Sequence, residues 1–456
     1  MSDLLTEYSR ETLRFRLGSE AQAAPSALPQ PPDDIDALLG RVLRAWEREK
    51  RTNVVLFGLA SGALAARLAQ SLPQDVSLCV SEPDPALAQG LLAAGRLDWW
   101  DEDGSRVCLA DTSPWAHKLL WLRQGLVPQT AFDIVNPELA SELRDKALLL
   151  REAFHAGRLR AAVFGADRTA ERPRVTLAAI LRPDEPGLSR FFAQAPSWLA
   201  RVAVLWDGAP PAGDFAPALP DGVRLIQAAR PLGGDFAAQR NALLDLCGAG
   251  AAGVADGEDI QAALDRIMAD KDAHDPWAIA AADRALAAAD ATEWILTLDG
   301  DELLPEALWQ ALPGLIARLT AEKAVAAAFP RLTLYPDADH AKCGYGLWPD
   351  LQLRLFRADG GGDGGKPRYE RPVHERLTGL AGPVAVVLDG SILHESALRK
   401  SPEELEKKLQ GFDAAGGGGV RHVLSGEYPS LPLAALPGAG PFSPPLRLLV
   451  LDKNPV

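Results

Sequence analysis

Residues 292–312 read TEWILTLDGDELLPEALWQAL. The apolar run at 294–298 has the length of a buried strand, the acids Asp299, Asp301 and Glu302 end it, and Pro305 opens a helical stretch. A strand, an acidic turn and a helix in that order make an α/β unit, and in an open α/β sheet the groups at the carboxyl edge of a strand project into the ligand crevice. Asp299 and Asp301, separated by one small residue, present two oxygen ligands to a hard divalent cation, which keeps open positions for substrate phosphates. The alternative is that these acids cap the following helix, where negative charge meets the positive end of its dipole.

Working outward, further strands are expected at 175–181 (VTLAAIL), 202–206 (VAVLW) and 223–226 (VRLI), so residues 174–400 read as one α/β region. An alanine-rich helical stretch at 248–291 reads as an insertion in it. Upstream, NVVLF at 53–57, a strand at 76–80, RVCLA at 106–110 and FDIV at 132–135 alternate with helical stretches, which predicts a smaller parallel sheet over 51–155. Residues 1–50 are expected to form a helical segment with a proline-rich break at 24–33, and 401–456 a helix with a Pro/Gly-rich tail. The arginine-rich stretch 155–174 lacks periodicity and suits a domain boundary.

Composition limits the function. The chain has 456 residues with 47 Lys and Arg against 61 Asp and Glu, a net charge of −14, which argues against a sequence-blind grip on nucleic acid. Four well-separated cysteines make neither a disulfide scaffold nor a zinc knuckle readable. No apolar run is long enough to span a bilayer and the N-terminus lacks signal-peptide character, so a soluble cytoplasmic protein is expected, with peripheral membrane contact left open.

Around the acidic motif stand Asp184 after the first strand of this region, Asp207 after the second, GGDFAAQRNALLDLC at 233–247, YGLWPDLQLRLFR at 345–357, RPVHERL at 371–377 and ILHES at 392–396. In this order, residues 174–400 resemble the family 2 glycosyltransferases of GT-A fold, and more narrowly the bacterial branch that builds lipopolysaccharide cores. The resemblance implies a GT-A nucleotide-diphospho-sugar transferase domain, and the strands and helices over 51–155 place a smaller Rossmann-like α/β domain before it. It further implies an inverting hexosyl or related transfer from a nucleotide-sugar donor to a glycan or lipid-linked saccharide acceptor in cell-envelope biogenesis, with Mn2+ or Mg2+.

On that resemblance, Asp184 and Asp207 fall where the family contacts the base, although Pro183 and Asp184 stand where it usually has an Asn-Glu pair. Arg240 falls where the family supports the nucleotide, Asp299 and Asp301 where it binds ribose and metal, and His394 where a late histidine completes the metal site. Glu375, beside His374, is the candidate base for the acceptor proton. Arg354, Arg357, Lys366, Arg368, Arg371 and Arg376 gather in one stretch of an acidic chain and suit a phosphorylated or acidic acceptor. A rival reading makes the N-terminal region a SAM-dependent methyltransferase or another nucleotide binder, carried by Gly58, Gly62 and Glu82 after VVLFGLASG at 54–62; a third makes it a docking module.

Overall fold

Strand β1 (Asn53–Phe57) is almost wholly buried because a parallel strand covered on both faces has no solvent side for polar residues to occupy. It lies between β2 (Ser77–Glu82) and β4 (Ala131–Val135), with β3 (Arg106–Ala110) beyond β2. All three pairings are parallel, giving the order β3-β2-β1-β4. The computed structural model describes residues 4–17, 28–101, 104–162, 173–211, 215, 217–249, 293–361, 365–371, 375–401, 403–406, 427–438 and 446–452. These divide into two units: the first comprises 1–157, 331–350 and 423–440, the second 158–330, 351–422 and 441–456. The expected insertion lies outside the described residues from 250 onward.

In the first unit, α2 (Ile35–Glu49), α3 (Ala63–Ser71), α4 (Pro85–Ala93), α5 (Pro114–Arg123) and α6 (Ser141–His155) alternate with the strands, after α1 (Leu4–Leu13). Two of these helices start on cap-and-proline pairs: Asp84 accepts from the backbone of Ala86 and Leu87, Ser113 from that of Ala116, and Pro85 and Pro114 follow. Helix α1, which lies in the segment expected to be helical, buries Tyr8 completely, with its hydroxyl on Asp111 at 2.7 Å. Segments 331–350 and 423–440 contribute a two-stranded pair, β12 (His340–Lys342) with β18 (Ser430–Pro432).

The second unit is built on a mixed sheet. Its strands are β5 (Arg158–Ala162), β6 (Val175–Leu181), β7 (Arg201–Asp207), β8 (Arg224–Arg230), β9 (Trp294–Thr297), β11 (Ala326–Thr333), β13 (Asp350–Arg357), β16 (Val384–Val387) and β19 (Leu446–Leu451), with β10 (Glu302–Leu303) paired to β17 (Ile392–His394) off the main path. The order is β5-β19-β16-β11-β13-β9-β6-β7-β8; β6, β7, β8 and β9 are parallel, and β13 runs antiparallel to β9. Residues 331–333 of β11 and Asp350 of β13 fall in the first unit's share of the chain. Helices α7 (Leu188–Ala193), α8 (Phe236–Ala249), α9 (Glu306–Ala321) and the short α10 (Ser396–Arg399) belong to the same unit, and β14 (Arg368–Glu370) pairs with β15 (Arg376–Thr378). One core cluster packs Trp206, Trp294, Leu312 and Phe329 together.

Two expectations need correction. The arginine-rich stretch expected to hold no core element supplies the edge strand β5, whose arginines suit an edge because one side faces water. The tail supplies β19, which bridges β5 and β16 and is buried nearly throughout. Among the described residues no helix is long and apolar enough to cross a membrane. All four cysteines are buried and unbonded to one another. The protein is therefore mixed α/β, with a wholly parallel Rossmann-like sheet in one unit and a mixed sheet in the other.

Candidate functional site

In the second unit the chain runs β6, β7, β8 outward and then returns to the opposite side of β6 as β9. The strand order reverses at that point, and a doubly wound sheet opens its crevice beyond the carboxyl ends of the two strands that flank the reversal. The residues leaving those ends are Arg182 to Pro186 after β6 and Leu298 to Asp301 after β9. The second of these stretches is a turn: the Glu302 amide donates to the Asp299 carbonyl at 2.9 Å, and the Asp299 amide to the Glu302 carboxylate at 3.1 Å. A side chain at Gly300 would put its Cβ 3.0 Å from both Leu181 and Glu185, so a larger residue between the two acids would crowd those side chains where the turn passes the end of β6.

Charged partners converge on this turn. Arg354, on β13 and 4% exposed, donates one Nη2 to Asp299 and to Glu302, each at 2.6 Å. Arg240, on α8, reaches Asp299 at 3.4 Å and Glu375 through Nε at 2.9 Å, with its guanidinium 5.4 Å from the centre of the Tyr369 ring. Burial alone would lower the pKa of Arg240, but the attraction of Asp299, with smaller help from Tyr369 and Glu375, holds it above its ordinary value. The same balance holds for Arg354, where Asp299 and Glu302 outweigh burial. Asp301, 5% exposed, faces His394 through one oxygen at 3.6 Å and Lys400 through the other at 3.1 Å.

Of the residues singled out in the sequence, the fold therefore brings Arg240, Asp299 and Glu375 into one chain of contacts, and Asp301 together with His394. Asp207 ends β7 at the same edge of the sheet, where its carboxylate accepts from the Leu232 amide at 2.8 Å and so holds the turn after β8. Asp184 points to solvent 3.5 Å from Arg182, and its neighbour Glu185 is the acid that meets the turn, through Gly300 and Lys400. His374 lies outside the described residues. Sequence reasoning gave Glu302, Lys400 and Glu185 no role and assigned Arg354 to an acceptor patch.

One member of that patch needs correction: Arg354 is buried on two carboxylates, whereas Arg357 and Arg368 stay partly exposed in pairs with Asp359 and Asp245. The readable signal for Arg354 was a charge inside the alternating strand LQLRLF, since a buried charge requires a partner. As to a cation, Asp299 and Asp301 offer carboxylate oxygens of the type that Mn2+ and Mg2+ accept, and His394 offers an imidazole nitrogen better suited to a transition metal. Among the described residues no three His, Cys, Asp or Glu side chains form a cation-holding group in the present arrangement.

In the first unit the acids at the carboxyl edge bind the chain itself. Glu82, 1% exposed, accepts from the amides of Leu59 at 2.7 Å and Asp84 at 2.8 Å. Asp111 accepts from Ser113 at 2.6 Å and Gly346 at 3.1 Å besides Tyr8. Glu138 accepts from the Leu64 amide at 2.9 Å, at the start of α3, and from the Ser61 hydroxyl. Gly58 has φ +90°, and a Cβ there would lie 2.6 Å from the Leu139 side chain in the connection after β4, so the left-handed backbone and this close approach account for that glycine. Gly62 has φ +81° and borders a cleft of about 640 Å3 that Ser61, Arg96 and Trp99 also line.

Burial pushes Glu82 up from 4.5 to about 7, and Asp111 from 3.8 to about 6. A folded state that keeps a proton the unfolded chain has already released is most favoured at low pH. Glu82's contribution is thus full below about pH 4.5 and lost as pH rises through about 7, a change on the order of 3 kcal/mol. Glu82→Gln is expected to lower stability near pH 4.5, because the amide nitrogen cannot accept from a backbone N–H, while flattening the decline between about pH 4.5 and 7. Urea midpoints measured at both pH values check this; curves parallel to those of the unmodified protein would refute the assignment.

No family model and no curated protein matches this chain. Among solved structures, one titled as a "putative O-methyltransferase" from Klebsiella pneumoniae is 16% identical, with 36% of this chain and 83% of that one covered at a TM-score of 0.19. At that score the likeness carries no statement about either unit.

Proposed function

We propose that the second unit is an inverting glycosyltransferase of GT-A type, akin to the family 2 enzymes of the bacterial lipopolysaccharide-core branch. It acts in the cytoplasm and transfers a sugar from a nucleotide-diphosphate donor to a glycan, lipopolysaccharide or related cell-surface acceptor. The observation that carries this reading is the Asp299-Gly300-Asp301 turn at the strand-order reversal, with Arg240 and Glu375 gathered on it from distant parts of the chain. Asp299, Asp301 and His394 would hold Mn2+ or Mg2+, which supplies charge neutralisation to the leaving diphosphate.

The chain's own residues account for the rest. Asp184 and Asp207 flank the base, and Asp299 takes the ribose hydroxyls. Arg240 holds Asp299 and Glu375 in register, so that a sugar bound over the turn has a carboxylate beside it. An acceptor hydroxyl attacks the anomeric carbon from the face opposite the diphosphate, Glu375 takes its proton, and the carbon–oxygen bond to the diphosphate breaks with inversion. The alternative, a SAM-dependent methyltransferase or nucleotide-binding or docking module in the first unit, has less support, because Glu82 and Asp111 are buried and bonded to the chain's own groups.

Calorimetric titration of the full chain with a panel of nucleoside diphosphates and with SAM separates these readings. One nucleoside diphosphate is expected to bind in Mn2+ and to lose its binding in chelator. A protein that binds SAM and no nucleoside diphosphate would overturn the proposal.

A further inference from the structure

Asp301 is 5% exposed, and a cation beside a carboxylate so deeply buried offsets the cost of taking its charge out of water. In the protein alone that cation is Lys400, whose Nζ lies 3.1 Å from Asp301 Oδ2 and 3.9 Å from Glu185 Oε1, with only 14% of its side chain exposed. The backbone that carries it is fixed independently. Arg399 donates through Nη1 to the carbonyls of Gly300 at 3.0 Å and Pro186 at 2.8 Å and pairs with Glu395 through Nη2. The Glu395 amide donates to the Asp301 carbonyl at 2.9 Å. The two loops of the crevice are thus tied together without Lys400, which leaves its ammonium as a point charge on a flexible four-carbon stem.

We propose that Lys400 is the resident counter-charge of Asp301 and the competitor of the divalent cation there, and that on displacement its ammonium moves to the donor's diphosphate. The inference rests on the glycosyltransferase reading and deepens it. A divalent ion taken up by Asp301 repels an ammonium 3.1 Å from the same carboxylate, and the new negative charge within the crevice is the diphosphate. Lys400 is a positioning residue while it holds Asp301, and it becomes a donor-binding residue once the cation has taken its place.

The test is titration of the full chain with Mn2+ alone, followed by titration with the bound nucleoside diphosphate at saturating Mn2+. Lys400→Gln is expected to bind Mn2+ about tenfold more tightly and the nucleotide about tenfold more weakly, opposite changes that a merely structural ion pair would not produce. Lys400→Arg keeps the charge and is expected to restore nucleotide binding. If Lys400→Gln does not fold, Lys400→Met, which preserves packing along the stem, carries the same expectation. Unchanged or weaker Mn2+ binding by a folded, charge-free variant overturns the role of Lys400 while leaving the glycosyltransferase reading intact. Failure of the unmodified protein to bind any nucleoside diphosphate with Mn2+ overturns both.

Discussion

Asp301→Ala is expected to reduce transfer from the nucleotide-sugar donor by on the order of a thousandfold or more, the effect of removing a ligand from an ion that neutralises a leaving diphosphate. The same substitution leaves Lys400 and His394 without the carboxylate each now faces, so a stability loss of about 1–3 kcal/mol is expected as well. Asp301→Asn preserves shape and one carbonyl oxygen, and it separates the two effects: it should retain the fold as judged by circular dichroism and still lose Mn2+-dependent turnover. Full activity of either variant in the presence of chelator would defeat the metal assignment. Because Asp299 is held by Arg354 and Arg240 rather than by Lys400, Asp299→Asn should additionally loosen β13 and α8, with a larger fall in melting temperature than Asp301→Asn shows.

Glu375→Gln carries the second large effect. The amide keeps an oxygen to accept from Arg240 Nε, now 2.9 Å from the carboxylate, so the pocket should keep its geometry. What it cannot do is accept the acceptor's proton, and turnover at saturating donor and acceptor should fall by roughly a hundredfold with the donor dissociation constant unchanged. The ion pair with Arg240 also makes a different outcome informative. If Glu375 serves to orient Arg240 and not to take a proton, the substitution will weaken donor binding and leave turnover near normal. Measuring both quantities on one preparation decides between these roles.

Much of the architecture could be read in advance where burial is two-sided. The runs NVVLF, RVCLA and VTLAAIL form β1, β3 and β6 with the expected limits, since a strand covered on both faces has to be continuously apolar and such a run shows in one dimension. β8 shows the limit of this rule: it lies at the end of the sheet order, carries Arg224 and Arg230, and runs four residues past the apolar stretch that announced it. β5 and β19 were missed for a related reason. Their pairing joins residues almost three hundred positions apart, and nothing local to RLRAA or to a proline-rich tail announces a partner that distant.

The amino-acid sequence by itself determined the α/β alternation, the acidic turn after a central strand, and the presence of Arg240, Glu375 and His394 at fixed distances along the chain. Only the tertiary structure decided which acids meet which cations. Asp299 and Asp301 differ by two positions, yet the turn around Gly300 sends one to Arg240 and Arg354 and the other to His394 and Lys400. It likewise turned Glu82 inward onto backbone amides, where a sequence motif suggested ligand contacts. The physical reason is that residue type and spacing specify local conformation and burial preference, whereas a charged group's partner depends on long-range strand order, here the return of β9 beside β6 and the antiparallel β13 beside it.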